Sequence, residues 1–162
     1  MSASKSKNTF TKDPNTIYFY RQGDPYGEFS NFYPSPFLDQ NNKTWPTSEH
    51  YFQAKKFINT EHEEIIRNLK TASESAKQGR SRSRPLRKDW EEVKVEVMYE
   101  AIKYKFEQND GLREVLMGTG DKKIVEHTKN DRIWADGGDG SGKNLLGVLL
   151  MRLRGEFRNE EK

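Results

Sequence analysis

The chain has 162 residues, a length that fits one domain with one core, and its 28 basic and 25 acidic residues leave a net charge of only +3. Total charge therefore gives no reason to expect a nucleic-acid or membrane partner. Cysteine is absent, which excludes disulfides and thiol nucleophiles, and no apolar run approaches the length of a membrane span. We expect a cytoplasmic protein, with a nuclear location as the alternative.

The chain is organised as one ordered domain between two polar ends. Residues 1–15 are small and polar, and they predict a disordered lead-in. The domain is expected over residues 16–157, and residues 158–162 form a polar tail. Residues 16–20 are β-prone and predict the first strand. The loop at 26–34 is crowded with aromatic residues, which either pack on the core or line a site.

Short β segments and a series of helices follow. A hairpin is predicted near 37–45, and a further strand is predicted at 123–126. Apolar spacing and capping residues predict helices that begin near 47 and span 61–69, 73–79, 90–106, 109–118 and 148–153. We therefore expect a single, mainly helical α+β domain. One small antiparallel or mixed sheet would contain the first strand, the hairpin and the last strand.

The first predicted helix carries an acid and an amine on the same face. Thr47 or Ser48 caps its start, and the spacing i, i+3, i+4 and i+7 then aligns four side chains. They are Glu49, Phe52, Gln53 and Lys56. An ordinary surface helix holds such charges in solvent and turns its aromatic residues into the core. Aromatic residues around polar groups are also typical of a ligand pocket, so the pattern alone leaves both interpretations open.

Two later stretches have the chemistry of phosphate binding. Residues 80–88 hold five arginines or lysines, which either lie in a solvated loop or bind phosphate oxygens. Residues 137–142 contain four glycines and lead into a helix, so backbone amides can approach an anion. This is not a Walker loop, because Asn144 stands where serine or threonine is required. Beside it, Trp134 offers a stacking surface for a base, and Asp136 offers a carboxylate for sugar hydroxyls.

No metal or cofactor site is expected from the sequence. The three histidines, His50, His62 and His127, lie too far apart for a local metal motif. The chain also lacks a dinucleotide fingerprint and the Gly-x-Ser-x-Gly elbow of serine hydrolases.

Three motifs, in this order, make the chain resemble the YbiA-like family, also called the NADAR domain family. They are Phe-Ser-Asn-Phe at 29–32, Trp-Pro-Thr-Ser-Glu-His-Tyr-Phe-Gln-Ala at 45–54, and Gly-x-Gly-Lys-Asn-x-Leu-Gly at 140–147. The resemblance extends from about Ile17 to Leu153. It implies an N-glycosidase that needs no cofactor and cleaves the bond between ribose C1 and a base or exocyclic nitrogen.

The resemblance implies two substrate classes. One comprises ribosylamino-pyrimidine phosphates, the reactive early intermediates of riboflavin synthesis. The other is guanine that carries ADP-ribose in DNA or RNA, and that activity implies a functional pairing with an ADP-ribosyltransferase. The catalytic motif does not separate the classes, because both contain a ribose, a phosphate and a nitrogen leaving group.

The resemblance and the residue chemistry together predict roles for ten positions. Lys56 is expected to form a sugar adduct as the nucleophile, with a pKa lowered by burial among Tyr51, Phe52 and Phe57. Glu49 is expected to carry protons. The predicted substrate-binding residues are Trp134 and Tyr20 (or Phe19) on the base, Asp136 and Asn144 on the ribose, Arg80 and the loop at Gly142 on phosphate, and Ser30 and Asn31. The last two either bind substrate or only pin the aromatic loop.

Two other classes of protein are alternatives. A non-catalytic module would bind ADP-ribose or an NAD-like nucleotide in the same pocket, although binding alone requires neither Glu49 nor Lys56. A nucleic-acid-binding protein would use the basic residues at 80–88, and its affinity would fall steeply with salt.

Overall fold

Residues 10–162 are described by a computed structural model, and over this range the chain forms six α-helices and four short strands. In chain order the elements are β1 (Thr16–Phe19), β2 (Phe37–Leu38), β3 (Thr44–Trp45), α1 (Ser48–Ala54), α2 (Glu61–Arg67), α3 (Ala72–Arg80), α4 (Trp90–Glu107), α5 (Asp110–Gly118), β4 (Lys123–Glu126) and α6 (Leu145–Glu160). Two short 3-10 helices lie at Gly27–Phe29 and, directly after α1, at Lys55–Phe57. The predicted mainly helical α+β class is confirmed. None of the helices in this range is both long enough and apolar enough to cross a membrane.

The strands form two separate pairs, so the prediction of one small sheet was wrong. β1 and β4 pair in parallel, with Phe19 opposite Glu126, and β2 and β3 form an antiparallel hairpin. At the hairpin, a side chain takes the place of a third strand. The Gln108 side-chain amide accepts from the Leu38 N–H at 2.8 Å and donates to the Leu38 carbonyl at 2.7 Å. These backbone groups are therefore paired without a neighbouring strand.

Large aromatic side chains fill much of the core, and α1 lies deep among the other helices. Five aromatic residues are less than 2% exposed: Phe29, Trp45, Phe57, Phe106 and Phe157. α4 packs on α6, and α6 covers β4. α1 contacts α2, α3 and α4, and all seven of its residues are buried. This burial excludes the interpretation of α1 as an ordinary surface helix.

Hydrogen bonds at the start of α1 fix the helix in this position. Thr47 is the capping residue, since its hydroxyl accepts from the His50 N–H at 3.1 Å. Ser48 does not cap the helix; its hydroxyl donates to the Asn31 side-chain oxygen at 2.8 Å. The His50 ring, which is fully buried, contacts the Leu69 carbonyl through Nε2 at 2.9 Å. The first turn of α1 is thus tied to the aromatic loop on one side and to the end of α2 on the other.

The predicted lead-in at 1–15 extends beyond the described part of the chain, because residues 1–9 lie outside it. From residue 10 onward the segment makes contacts. The Phe10 ring stacks on the His127 ring with centroids 4.6 Å apart, and the Asp13 carboxylate accepts from the Thr16 hydroxyl at 3.1 Å. These contacts lead the chain into β1.

Candidate active site

A cavity of about 750 Å³ lies between α1, the aromatic loop that follows β1, and the carboxyl end of β4. Seven of the ten predicted site residues line it: Tyr20, Ser30, Asn31, Glu49, Lys56, Arg80 and Trp134. Phe52 and Gln53 line it as well, so all four side chains aligned by the helical spacing face the same cavity. The four side chains share this face although the chain changes from an α-helix to a 3-10 helix at Lys55, one residue before Lys56.

Glu49 projects from the first turn of α1 and is only 8% exposed. Its Oε1 accepts a hydrogen bond from Gln53 Nε2, one helical turn later, at 2.7 Å. Burial raises the pKa of the Glu49 carboxyl, while the Gln53 hydrogen bond and the charges of Lys56 and Arg80 act in the opposite direction. A carboxyl in such an environment is suited to taking up and releasing a proton during a reaction.

Lys56 lies in the 3-10 turn that continues α1 and is 7% exposed. Its Nζ donates to the Gly79 carbonyl at 3.3 Å and lies 5.8 Å and 5.9 Å from the ring centres of Phe52 and Trp90. Burial lowers the pKa of Lys56 to about 8, although the charge of Glu49 acts to raise it. At pH 7 about one tenth of the Lys56 side chains are then neutral and able to act as nucleophiles.

The neighbouring lysine, Lys55, faces a different part of the molecule. It lines a second cavity of about 360 Å³ and lies over the rings of Trp45 and Tyr51. Tyr51, which the sequence places beside Lys56, therefore lies beside Lys55 instead. Trp90, from α4, supplies the second ring at Lys56. Adjacent lysines thus belong to two different cavities.

Ser30 and Asn31 line the cavity, and their hydrogen bonds also pin the aromatic loop. The Asn31 side-chain oxygen accepts from the Ser48 hydroxyl, and the Asn31 carbonyl accepts from the Glu49 N–H at 3.1 Å. The Ser30 carbonyl accepts from Nζ of Lys105, a lysine with no exposed surface, at 2.8 Å. The loop is therefore bonded directly to the helix turn that carries Glu49.

The rim of the cavity carries aromatic and basic side chains. The Trp134 ring meets the Phe52 ring edge to face, with centroids 5.3 Å apart. The Tyr20 hydroxyl, directly after β1, accepts from Asn130 Nδ2 at 3.2 Å. Arg80 is exposed at the end of α3, and its charge acts on the acid and the amine of the cavity. The rim therefore offers aromatic rings that suit a base and a guanidinium group that suits a phosphate.

Two of the five basic residues at 80–88 form hydrogen bonds within the protein. Arg84 donates to His62 Nδ1 at 2.6 Å, and Arg87 forms two hydrogen bonds with the Asp89 carboxylate, at 2.6 Å and 2.8 Å. Only the first residue of the stretch lines the larger cavity. The stretch is therefore neither a purely solvated loop nor a continuous phosphate-binding surface.

Three predicted substrate-binding residues, Asp136, Asn144 and Gly142, do not line the cavity. Asp136 is 3% exposed, and its carboxylate contacts His127 Nδ1 at 2.7 Å. The same carboxylate accepts from the N–H groups of Thr128 and Gly138, at 3.1 Å and 2.8 Å. These contacts fold the loop after β4, so the carboxylate is occupied by the protein itself.

Asn144 and Gly142 pack the glycine-rich loop against β4. Asn144 has a φ of 52°, and its side chain accepts from the Glu126 N–H at 3.0 Å and donates to the Ile124 carbonyl at 2.9 Å. At Gly142, an added Cβ would lie 2.4 Å from the Ala135 carbonyl oxygen, so only glycine fits there. The loop therefore supports β4, the strand that borders the cavity. Gly142, which was predicted to contact phosphate, lies outside the cavity.

Two carboxyl groups that the sequence analysis does not select also line the cavity: Glu126, the last residue of β4, and Asp131 in the following loop. Burial raises the pKa of Glu126 to about 8, and the charges of Asp131, Glu49 and Asp136 act in the same direction. The only signal for Glu126 in the sequence is a glutamate that closes a short strand. Within the described residues, no group of three or more acidic or histidine side chains could hold a metal ion.

The fold and the cavity define a class of protein: one helical α+β domain that encloses a buried lysine and several carboxyl groups at the end of a parallel strand pair. The chain belongs to the NADAR domain family, whose model matches residues 18–158. It is 52% identical over 145 residues to the N-glycosidase YbiA of Escherichia coli K12, with 90% of each chain covered. The NMR structure of E. coli YbiA has a TM-score of 0.84 and 49% identity, and the match covers 94% of this chain and 90% of that chain.

A longer relative matches over nearly the same part of the chain. A riboflavin biosynthesis protein of Vibrio vulnificus is 39% identical over 142 residues, which cover 88% of this chain and 38% of that protein. The resemblance detected from the motifs is therefore confirmed at the level of the family.

Proposed function

We propose that this protein is an N-glycosidase that hydrolyses the bond between ribose C1 and a nitrogen in a phosphoribosyl or ADP-ribosyl substrate. The observation that carries the proposal is the pair of Lys56 and Glu49, both buried in one cavity whose rim carries Trp134 and Arg80. The name N-glycosidase of the E. coli relative supports the reaction class. A module that only binds nucleotides would not require a buried amine beside a buried carboxyl.

The chemistry assigns the two buried groups different tasks. Departure of a nitrogen from C1 builds positive charge on the sugar, which the electron pair of the attacking amine neutralises. Glu49 accepts the proton of Lys56 beforehand, so that the neutral amine can attack. The lone pair of Lys56 forms a bond to C1 while the bond from C1 to the leaving nitrogen breaks. The electron pair of the broken bond stays on the leaving nitrogen, which gains a proton. In the sugar adduct the ring bond between C1 and O4 then breaks, the ring oxygen takes a proton from the Lys56 nitrogen, and a Schiff base forms. Water adds to C1 and releases the sugar from Lys56.

Two substrate classes fit this reaction. Ribosylamino-pyrimidine phosphates are supported by the Vibrio vulnificus relative, which is named a riboflavin biosynthesis protein. ADP-ribose on guanine, in DNA or RNA, is supported by the exposed Arg80 on the rim, since guanidinium groups match diphosphate oxygens. In the second case an ADP-ribosyltransferase would supply the substrate.

The decisive experiment offers both substrates side by side and measures release of the base or amine, followed by borohydride trapping during turnover. We expect a reduced sugar adduct on Lys56 in the peptide map. Lys56→Met should lower turnover by at least about 10³-fold. The matched control is Lys55→Met, because Lys55 lines the other cavity. It should keep turnover within about threefold of the wild type, provided that the folded fraction is measured.

Three results would contradict the proposal in different ways. An active enzyme whose Lys56 stays unmodified, with full activity in Lys56→Met, would exclude the covalent mechanism. Tight binding of ADP-ribose with no hydrolysis of either substrate would favour the nucleotide-binding module. Tight, salt-sensitive binding to unmodified oligonucleotides, again without hydrolysis, would favour a nucleic-acid-binding protein.

A further inference from the structure

Glu126 is a cavity residue that the proposed reaction does not yet use. It ends β4 and lines the same cavity as Glu49 and Lys56. Its backbone is fixed at two points: the N–H donates to the Asn144 side chain at 3.0 Å, and the carbonyl accepts from the Asp136 N–H at 2.9 Å. A side chain based on such a rigid strand end can be held accurately against a substrate.

The carboxyl group of Glu126 has an environment unlike that of Glu49. Within residues 10–162, no hydrogen bond is donated to either of its side-chain oxygens, whereas Glu49 accepts one from Gln53. The other charged groups that line the cavity are Glu49 on α1, Lys56 after it, Arg80 on α3, Arg21 after β1, and Asp131 in the loop after β4. Asp136, which lies outside the cavity, also acts on Glu126 through its charge. Burial and the three acidic neighbours favour the protonated form of Glu126.

Burial raises the pKa of both glutamates, but only Glu49 has contacts that oppose this effect. For Glu49, a hydrogen-bond donor and two cations oppose the effect of burial. For Glu126, burial and every charge that acts on it raise the pKa, which lies at about 8. Pairs of carboxyl groups that share one cavity but have different partners are typical of sites in which one group acts as acid and the other as base. At pH 7 most Glu126 side chains still carry a proton that they can donate.

We propose that Glu126 is the general acid of this site and donates its proton to the nitrogen that leaves C1, an inference that rests on the proposed N-glycosidase function. The proton balance closes over one turnover. Glu49 takes the proton of Lys56, Lys56 attacks C1, and the leaving nitrogen takes the proton of Glu126. Water then replaces Lys56 at C1, its proton returns to Glu126, and Lys56 regains its own proton from Glu49. One water is consumed, and the enzyme is unchanged.

The test compares Glu126→Gln with the wild type on whichever of the two ribosyl substrates the wild type hydrolyses faster. Glutamine keeps the size of the side chain but cannot supply the proton. We expect kcat to fall about 10²- to 10⁴-fold, as is typical for loss of a general acid. The wild-type profile of kcat/KM should fall as pH rises through about 8, where Glu126 loses its proton. That fall should be absent in Glu126→Gln.

A second substrate separates an acid from a merely structural residue. p-Nitrophenyl ribofuranoside 5-phosphate releases a nitrophenolate that needs no proton, so Glu126→Gln should hydrolyse it within about threefold of the wild-type rate. Glu126→Asp, which retains an acid, should keep the fall of activity at high pH. Glu114→Gln on α5, an exposed residue, is the control and should match the wild type on both substrates.

The outcomes distinguish this inference from the function on which it rests. If the wild type hydrolyses neither ribosyl substrate, the proposed function fails. If the wild type is active and Glu126→Gln keeps both its rate and its fall at high pH, the function stands and the acid role of Glu126 is refuted. A folded Glu126→Gln that is equally impaired on the nitrophenyl substrate also refutes the acid role, because it indicates a structural contribution.

Discussion

Gly79, near the end of α3, leaves the space that the side chain of Gln53 occupies. A Cβ at this position would lie 2.0 Å from Gln53 Oε1 and 2.6 Å from Gln53 Cδ. Gln53 is the residue that donates to Glu49, and the Gly79 carbonyl is the group that accepts from Lys56. The substitution Gly79→Ala therefore displaces Gln53, the hydrogen-bond partner of Glu49, at the residue whose carbonyl accepts from Lys56.

The distances give the size of the effect. The side-chain amide of Gln53 must retreat by about 1 Å or more to reach an ordinary contact distance, and a displacement of that size costs about 10²-fold in rate when it reaches the reacting groups. Overpacking costs about 1–3 kcal/mol, from which the gain of replacing a helical glycine by alanine subtracts about 0.5–1 kcal/mol. We expect Gly79→Ala to fold, with turnover about 10²-fold lower and an unfolding free energy about 1–2 kcal/mol lower.

Gly155→Ala, in the middle of α6, is the matched control, because nothing lies within 4 Å of the added Cβ. It should keep wild-type turnover and be as stable as the wild type or up to about 1 kcal/mol more stable. Urea unfolding measures the unfolding free energy, and steady-state kinetics measure the turnover. Both are compared among the wild type, Gly79→Ala and Gly155→Ala at a temperature where each is folded. Wild-type turnover in a folded Gly79→Ala would refute the idea that Gln53 positions Glu49.

Two further substitutions test residues that support the cavity. Burial lowers the pKa of Lys105 to about 7 from its usual 10.5. Between pH 7 and pH 10.5 the unfolded chain therefore binds more protons than the folded protein. In this range the unfolding free energy rises by at most about 1.4 kcal/mol per pH unit. Urea unfolding from pH 6 to pH 9 should show a smaller rise in Lys105→Met, and an unchanged slope would contradict this reasoning. Asn144→Ala leaves the Ile124 carbonyl and the Glu126 N–H without partners and should lower the unfolding free energy by about 1–3 kcal/mol. Unchanged stability with weakened substrate binding would instead support the ribose contact predicted from the sequence.

One wall of the cavity, formed by α1 and the turn after it, is predictable from the sequence. The spacing of side chains along a helix depends only on the local chain. It aligns Glu49 and Lys56 whatever the rest of the chain does, and the structure places both in one cavity. Trp90 is not predictable in the same way, since it comes from another helix and reaches Lys56 only through packing. The same limit applies to the strands, where the Gln108 side chain replaces a β neighbour that the pattern alone suggests.

Polar residues in the glycine-rich loop show a second limit. Asp136 and Asn144 have the side chains that a sugar site would use, but a buried loop needs the same groups to satisfy its own backbone. Residue type does not distinguish these two uses. Only the structure shows which partner is present, and here it is the N–H and carbonyl groups of β4 and the loop after it.

The parallel pair of β1 and β4 explains why residues from both ends of the chain meet at the cavity. Parallel strands run in the same direction, so Tyr20 after β1 and Glu126 at the end of β4 emerge at the same edge. Groups at the carboxyl ends of parallel strands commonly form binding sites for this reason. The register between the strands then decides where Glu126 lies relative to Glu49. Asn144, bonded to β4 on both sides of Val125, holds that strand from the start of α6, so its contribution to the site is one of position, made through the backbone of Glu126.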